Sequence, residues 1–358
     1  MKSGSRSQVL YETLAAELHN FPAGSRFYSM REIMTRHRSS QRIAAAALER
    51  MEAEKLIRRE SRVGIFSNLP ADRTRKSILL LMPDWPSFLL KERGRLLAEQ
   101  VRAHNWQISI RSYDPESEEH MQLSFGEIDA MIFNCASSSV SRRQAEWLLT
   151  CQERFQVVMI GGHPGDFALN YVGSMDEFSG FEALNYLYGL GHRRILTTLS
   201  EPHNFGVIRR RFGVEHFVRT HPDVYVEFLD CRTVSGESAM QRNYEEMIRR
   251  CGESVDFTAI YADSSDSVAG TYKAFYESGI RIPDDVSIIA NDIHNEGLFY
   301  TPPLTMIGMR SGELAVAVVE GLNEVFSGQR NRFLRELSPE IVEQKSTATV
   351  AVKNITQP

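Results

Sequence analysis

The sequence predicts an α/β protein with a small helical head, closed by a hairpin, and a larger two-lobed, doubly wound body. Three observations lead there. From Ser77 onward, short apolar runs alternate with amphipathic helical stretches, the rhythm of parallel strands joined by helical crossovers. Before Ser77, three helical patterns and two short strand-like segments fit into residues 8–67. Charge divides at the same place: residues 1–76 carry 15 Lys and Arg against 8 Asp and Glu, and residues 77–358 carry 26 against 38. A basic head on an acidic body points to a polyanionic partner for the head alone. The polar, proline-containing stretch SNLPADRTRKS reads as a linker. The expected domains are 1–67, a linker at 68–77, and 78–358.

In the head, QVLYETLAAELH places Val9, Leu10, Leu14 and Leu18 near one helical face. Pro22 and Gly24 interrupt that pattern. SMREIMTRH follows as a second helix, with Ser29 as N-cap and Glu32 completing a capping box. The third helix starts at SSQRIAAAAL, where Ser39 or Ser40 can cap it. Ala44, Ala47, Leu48 and Met51 share a face that would pack inward. Gln41 and Arg42 then form a polar tip with small alanines behind, a shape that suits the major groove of DNA. Gln can pair with adenine, Arg with guanine, and Ile43 or Ala45 can touch a thymine methyl. An alanine-rich helix packed only against protein is the plainer alternative. Leu56–Arg59 and Gly64–Ser67 read as two strands around a turn that carries Arg62 and Gly64.

Taken whole, YSMREIMTRHRSSQRIAAAALERMEAEKLIRRESRVGIF resembles the winged helix-turn-helix of the gluconate-repressor (GntR) family over nearly all of residues 8–67. The resemblance implies binding to a double-stranded DNA operator. Arg31 would meet a phosphate or base at the groove edge, Ser40, Gln41, Arg42 and Ile43 would read bases, and Arg62 and Gly64 would sit at the wing tip. Gln41 and Ala45 stand where the family usually carries arginine, so the operator differs and phosphate-driven affinity falls.

In the body, strands are expected at 78–83, 107–113, 130–135, 157–162, 194–199, 226–230, 259–263 and 287–292. Helices are expected at 88–104, 141–154, 177–190, 206–220, 236–251, 265–278 and 311–327. Eight strands are many for one sheet, so two similar lobes fit better, with a ligand cleft at the carboxyl ends of the strands. YVGSMDEFSGFEALNYLYGLGHRRI at 171–195 and FTAIYADSSDSVAGTYKAFYESGIRIPDDVSIIANDIHNEGLFYTPPLTMI at 257–307 resemble the effector domain of the lactose-repressor (LacI) family. That family shares its fold with periplasmic sugar-binding proteins. The resemblance covers about residues 78–350 and implies a periplasmic-binding-protein-like body that pairs two protomers and senses a sugar or sugar derivative.

By position, Arg210 and Asp292 would bracket neighbouring hydroxyls of that ligand. Ser265 falls in the loop that follows the seventh strand. Trp85 and Phe88 follow the first strand, where an aromatic face can stack on a sugar. Plainer readings stay open: Arg210 as a solvated member of a run of three arginines, Asp292 as a cap or turn residue, Trp85 and Phe88 as core or lid packing. Asp263-Ser264-Ser265 and Ala290-Asn291-Asp292-Ile293 depart from the family's pattern. A pocket that has lost its ligand, leaving a body used only in dimerisation, is the alternative.

The sequence holds no P-loop, no GxSxG and no GxGxxG after a strand, so no enzyme, catalytic residue or cofactor is expected. Asp263, Asp266 and Asp292 match no metal spacing, and GGHPGD at 161–166 reads as a glycine turn before it reads as a phosphate loop. Cys135, Cys151, Cys231 and Cys251 are far apart and form no CxxC pair, which points to a reducing cytoplasm. No N-terminal apolar region suggests a signal peptide, and runs such as SILLLMP are too short to span a membrane. The expected function is a ligand-responsive, sequence-specific transcriptional regulator, a repressor by resemblance, acting as a homodimer.

Overall fold

A computed structural model describes residues 6–18, 21, 24–60, 63–68, 75–85, 87–115, 117–136, 141–203, 205–234 and 237–350. The head begins with α1 (Arg6–Leu18), α2 (Met30–Arg36) and α3 (Gln41–Ala53). Strands β1 (Ile57–Glu60) and β2 (Gly64–Ser67) follow and pair antiparallel, Ile57 opposite Ser67. Leu14, Leu18, Ile33, Ala44, Leu48, Met51 and Ile57 are almost wholly buried together and form the head's core. Val9, expected on the inner face of α1, is 57% exposed instead; Leu10, Leu14 and Leu18 suffice to fill that face.

The capping box on α2 is present. Ser29 Oγ accepts the Glu32 amide at 3.3 Å, and the Ser29 amide donates to Glu32 Oε2 at 2.7 Å. The hydrogen bonds from Ser29 hold the Glu32 carboxyl below its ordinary pKa. At the start of α3 the expectation fails in part. Ser40 is the N-cap by backbone geometry, and its carbonyl takes the Ala44 amide at 3.0 Å. Neither it nor Ser39 caps with its side chain: the Ser40 hydroxyl makes no capping bond, and Ser39 Oγ is buried without a partner among the described residues.

The body contains β3 (Ser77–Pro83), α4 (Phe88–Ala103), β4 (Gln107–Tyr113), β5 (Ala130–Asn134), α5 (Arg142–Gln152) and β6 (Gln156–Ile160). It continues with β7 (Asn170–Ser174), α6 (Asp176–Gly189), β8 (Arg194–Leu199), α7 (Phe205–Thr220), β9 (Tyr225–Asp230) and α8 (Ala239–Glu253). The chain closes with β10 (Ala259–Ala262), α9 (Val268–Ser278), β11 (Ser287–Asn291), β12 (Thr305–Gly308), α10 (Ser311–Phe326), β13 (Leu334–Leu337) and β14 (Glu340–Val342). Two six-stranded sheets result, ordered β13-β7-β6-β5-β3-β4 and β14-β12-β11-β10-β8-β9. Strands β3, β10 and β11 are buried along their whole length, as parallel strands covered on both faces must be. The fold is that of a two-sheet α/β protein with mainly parallel strands.

All seven expected body helices are present within about three residues at each end. The eight expected strands are too few, because β7, β12, β13 and β14 were not foreseen. Each is short, and β13 reads LREL, half of it charged; such segments become strands through the neighbour they pair with.

The chain divides into two compact units. One holds residues 1–83, 98–134 and 146–158; the other holds 84–97, 135–145 and 159–358. Among the described residues no helix is long and apolar enough to cross a membrane.

Candidate functional site

On the head, Arg31, Ser40, Gln41 and Arg42 are all exposed. Ala44 and Ala47 are buried beneath them, so the polar tip of α3 stands free while its small residues face the core. Ile43 departs from expectation: it is half-buried and packs against the head core, because its position on α3 turns the branched side chain toward the protein. Arg62 lies outside the described residues. Gly64 opens β2 at φ +150°, and a Cβ there would lie 3.0 Å from Arg26 Nε, so the hairpin needs glycine at that place.

In the second unit, strands β8, β10 and β11 run parallel and end in register, Thr198 beside Ala262 beside Ala290. Their carboxyl ends therefore deliver Ser200, Asp263 and Asp292 to one place, where open α/β sheets bind ligands. Asp263 is locked by the fold. It accepts the Ser200 amide at 3.0 Å, the Ser200 hydroxyl at 2.5 Å and the Glu201 amide at 3.3 Å. Ser200 Oγ in turn lies 2.6 Å from Ser267 Oγ. Asn291 is buried and ties three elements: it accepts the Ser179 hydroxyl of α6 at 2.7 Å and the Ser265 amide at 2.8 Å, and donates to Asp292 Oδ1 at 3.0 Å.

Asp292 sits at φ +74°, in the left-handed region that few residues other than glycine tolerate. Its amide donates to the Ile307 carbonyl at 2.9 Å. A Cβ on Gly308, itself at φ +150°, would come within 3.3 Å of that amide nitrogen, a tight contact that glycine avoids. The carboxylate so held acts on Arg93, Asp176, Glu201, Arg210, Tyr261 and Asp266. Its place at the strand end and its action on these neighbours make Asp292 a candidate site residue, beside the reading of it as a turn residue.

Arg210 comes from α7, which packs on α6 through two glycines. A Cβ on Gly180 would fall 2.0 Å from the Arg210 carbonyl oxygen, and one on Gly213 would fall 1.9 Å from that of Glu177. This close approach brings Arg210 Nη1 within 3.0 Å of Asp176 Oδ1 at the start of α6. Arg210 is 7% exposed, so it is not a solvated surface charge. Burial works against its charge, yet Asp176, Asp292, Tyr261 and Asp263 together hold its pKa above the ordinary guanidinium value.

The remaining expected residues divide. Phe88 is 43% exposed and lies over the buried His294 ring, centroids 6.1 Å apart, so it is not core. Trp85 is half-buried, and its carbonyl accepts the Ser87 amide at 2.9 Å. Ser265 is wholly buried, its hydroxyl has no partner among the described residues, and its amide donates to the Asn291 carbonyl.

Sequence reasoning did not single out Asp176, Glu201, His294 or Arg93, which lie around these candidates. Asp176 stands in YVGSMDEFSG, a stretch already singled out; the others carry no local signal. Burial and the neighbouring Asp263 push the Glu201 carboxyl up to about 7 from an ordinary 4.5. The unfolded chain loses that proton first, so stability falls as pH rises from about 4.5 to about 7. Glu201→Gln is expected to make that decline shallower in denaturant titrations at several pH values. Equal pH slopes in the two proteins would contradict it.

A cavity of about 660 Å3 adjoins the site, lined by His163, Met175, Asp176, Phe178, Phe181 and Phe205 among others. Aromatic walls with a few charged groups are the usual make-up of a small-molecule site. Among the described residues, no cluster of three or more His, Cys, Asp or Glu could hold a metal ion.

Comparison with known proteins bears on this geometry. Residues 184–347 match the family described as periplasmic binding protein-like domain. The chain is 25% identical over 230 residues to an HTH-type transcriptional repressor PurR from Histophilus somni, covering 62% of this chain and 66% of that one. It is 27% identical over 168 residues to the PurR repressor of Pasteurella multocida, covering 47% and 49%. The chain thus spans about half to two thirds of the length of these curated relatives. Among solved structures, it resembles a LacI family transcriptional regulator from Enterococcus faecium with bound ribose. The TM-score is 0.64 and the identity 22%, over 77% of this chain and 100% of that one. It also resembles a LacI family regulator from Arthrobacter in complex with lactose, with a TM-score of 0.64 and 17% identity over 76% and 99%. At these identities the structural likeness establishes the fold.

Proposed function

We propose that this protein is a ligand-controlled transcriptional repressor, not an enzyme: a head at 1–67 reads an operator, a linker at 68–77 follows, and a body at 78–358 senses a small molecule and pairs two copies. The observation that carries the reading is the convergence of Arg210, Asp292 and Asp176 at the strand ends of a periplasmic-binding-protein-like fold. Those groups offer fixed donors and acceptors for neighbouring hydroxyls, which favours a sugar or sugar derivative. The ribose and lactose bound by similar folds support the same class.

For the head, the curated relatives' names support a helix-turn-helix and no finer type. The hairpin β1–β2 directly after α3, with the exposed Arg31, Ser40, Gln41 and Arg42, favours a winged form like that of the GntR family. The surplus of 15 basic over 8 acidic residues in 1–76 supports a polyanionic partner. Pairing of two copies is supported by Tyr276 and Phe299, which are 86% and 84% exposed, unusual for large apolar side chains.

Selection of bound duplexes from a random-sequence library, using the full chain, tests this reading. Two related half-sites in inverted orientation are expected to be enriched. Arg42→Ala should relax preference at one base pair per half-site and weaken binding roughly ten- to a hundredfold. Absence of any enriched sequence would overturn the proposal.

A further inference from the structure

Two of the three buried arginines described in the second unit, Arg250 and Arg93, meet opposite fates. Arg250 is 7% exposed and fully engaged: it donates to Glu227 at 2.8 and 2.9 Å, to Asp256 at 2.6 Å, and to the Ser254 carbonyl. That is how a structural guanidinium is normally accommodated. Arg93 is equally buried, at 7%, yet its Nε has no hydrogen-bond partner among the described residues. It projects from α4 toward the site, where Asp292, Asp176 and Tyr171 are the charged or titratable groups that act on it.

Both of those carboxylates already have protein donors. Asp176 is held by Arg210 at 3.0 Å, and Asp292 by the Asn291 side-chain amide at 3.0 Å. Tyr171 is folded back over Gly173, where no Cβ would fit, and its ring meets His163 edge-on at 5.1 Å. The site therefore holds a buried guanidinium whose Nε–H has no acceptor among the described residues. Burial outweighs the pull of Asp292 and Asp176, so Arg93 sits below the ordinary guanidinium pKa, the opposite of Arg210. A buried charge left in this condition costs stability and is retained where a ligand completes it.

We infer that Arg93 receives an anionic group of the effector, a carboxylate or a phosphate monoester, and that the sensed molecule is an acidic sugar derivative. The inference rests on the sensor reading above and narrows its ligand class. Asp292 and Arg210 take the hydroxyls, and Arg93 takes the acid group through its paired N–H donors.

Thermal unfolding of the full chain tests it with paired probes: ribose against ribose phosphate, glucose against glucuronate, and inorganic phosphate alone. The phosphate and carboxylate arms separate the two sources of negative charge. An acidic probe is expected to raise Tm by several degrees and its neutral parent to do far less. Arg93→Gln should weaken binding of that probe roughly ten- to a hundredfold, with Arg93→Lys retaining part of it. Without ligand, Arg93→Gln should melt no lower than the parent protein, since it removes an unpaired buried charge. Three results overturn the inference. An equal response to neutral and acidic sugars, unchanged in Arg93→Gln, rejects the anion while leaving the sensor reading standing. A ligand-free Arg93→Gln that melts several degrees lower makes Arg93 a structural residue. No response to any sugar, neutral or acidic, rejects both readings.

Discussion

Gly213→Ala is expected to destabilise the protein by roughly 3 kcal/mol, the upper end for overpacking. The added methyl would sit 1.9 Å from the Glu177 carbonyl oxygen and 2.8 Å from the Phe181 amide nitrogen. Both are backbone atoms of α6, so no rotamer change relieves the clash, and the helices must separate. Separation also carries Arg210 away from Asp176, since both lie beside the contact. Gly252→Ala in α8 is the matched control. Nothing lies within 4 Å of its Cβ, and the change should gain about 0.5–1 kcal/mol through helix propensity. Urea unfolding of both variants checks the pair. A Gly213→Ala protein within about 0.5 kcal/mol of the parent would mean that the helices do not depend on the glycine contact.

Arg210→Met should cost about 3–5 kcal/mol, because it leaves the Asp176 carboxylate buried beside Asp292 without its ion-pair partner, the weaker action of Arg93 remaining. The double change Arg210→Met with Asp176→Asn should recover much of that loss, since it removes the orphaned charge along with its partner. The same variants should lose any sugar-dependent rise in Tm. A single substitution that costs less than about 1 kcal/mol, or a double that is merely additive, would contradict this account of the pair. Arg210 and Arg93 are thus expected to behave in opposite ways although each is 7% exposed and each has an unpartnered Nε among the described residues: Arg210 has an ion pair with Asp176, and no ion pair joins Arg93 to a described residue.

The differing fortunes of these residues explain what could be read beforehand. The continuous apolar runs ILLLMP, AIYA and SIIAN announced central parallel strands, because a strand buried on both faces has no polar alternation. Strands β13 and β14 were invisible, since LREL and EIV gain their extended form only from pairing with β7 and β12. Arg210 was singled out by its place in RRFGV, although its burial was not legible there. Arg93 lies in KERGR, which reads as a solvated helix face; only the packing around α4 reveals a charge in the interior. Ser265 was singled out as a polar residue just past a strand end, whereas its complete burial and the bond from its amide to the Asn291 carbonyl follow from packing alone. In the head, the Ser29-Glu32 spacing specified its cap, whereas Ser40 shows that a serine at an N-cap position need not cap with its hydroxyl.

The most direct test of the account is whether the body and the head are thermodynamically coupled. A duplex enriched by selection would be titrated with the full chain, with and without the sugar derivative that raises Tm. The account predicts that the ligand changes DNA affinity by a definite factor and that the duplex changes ligand affinity by the same factor. A ligand that stabilises the protein yet leaves DNA affinity unchanged would contradict it.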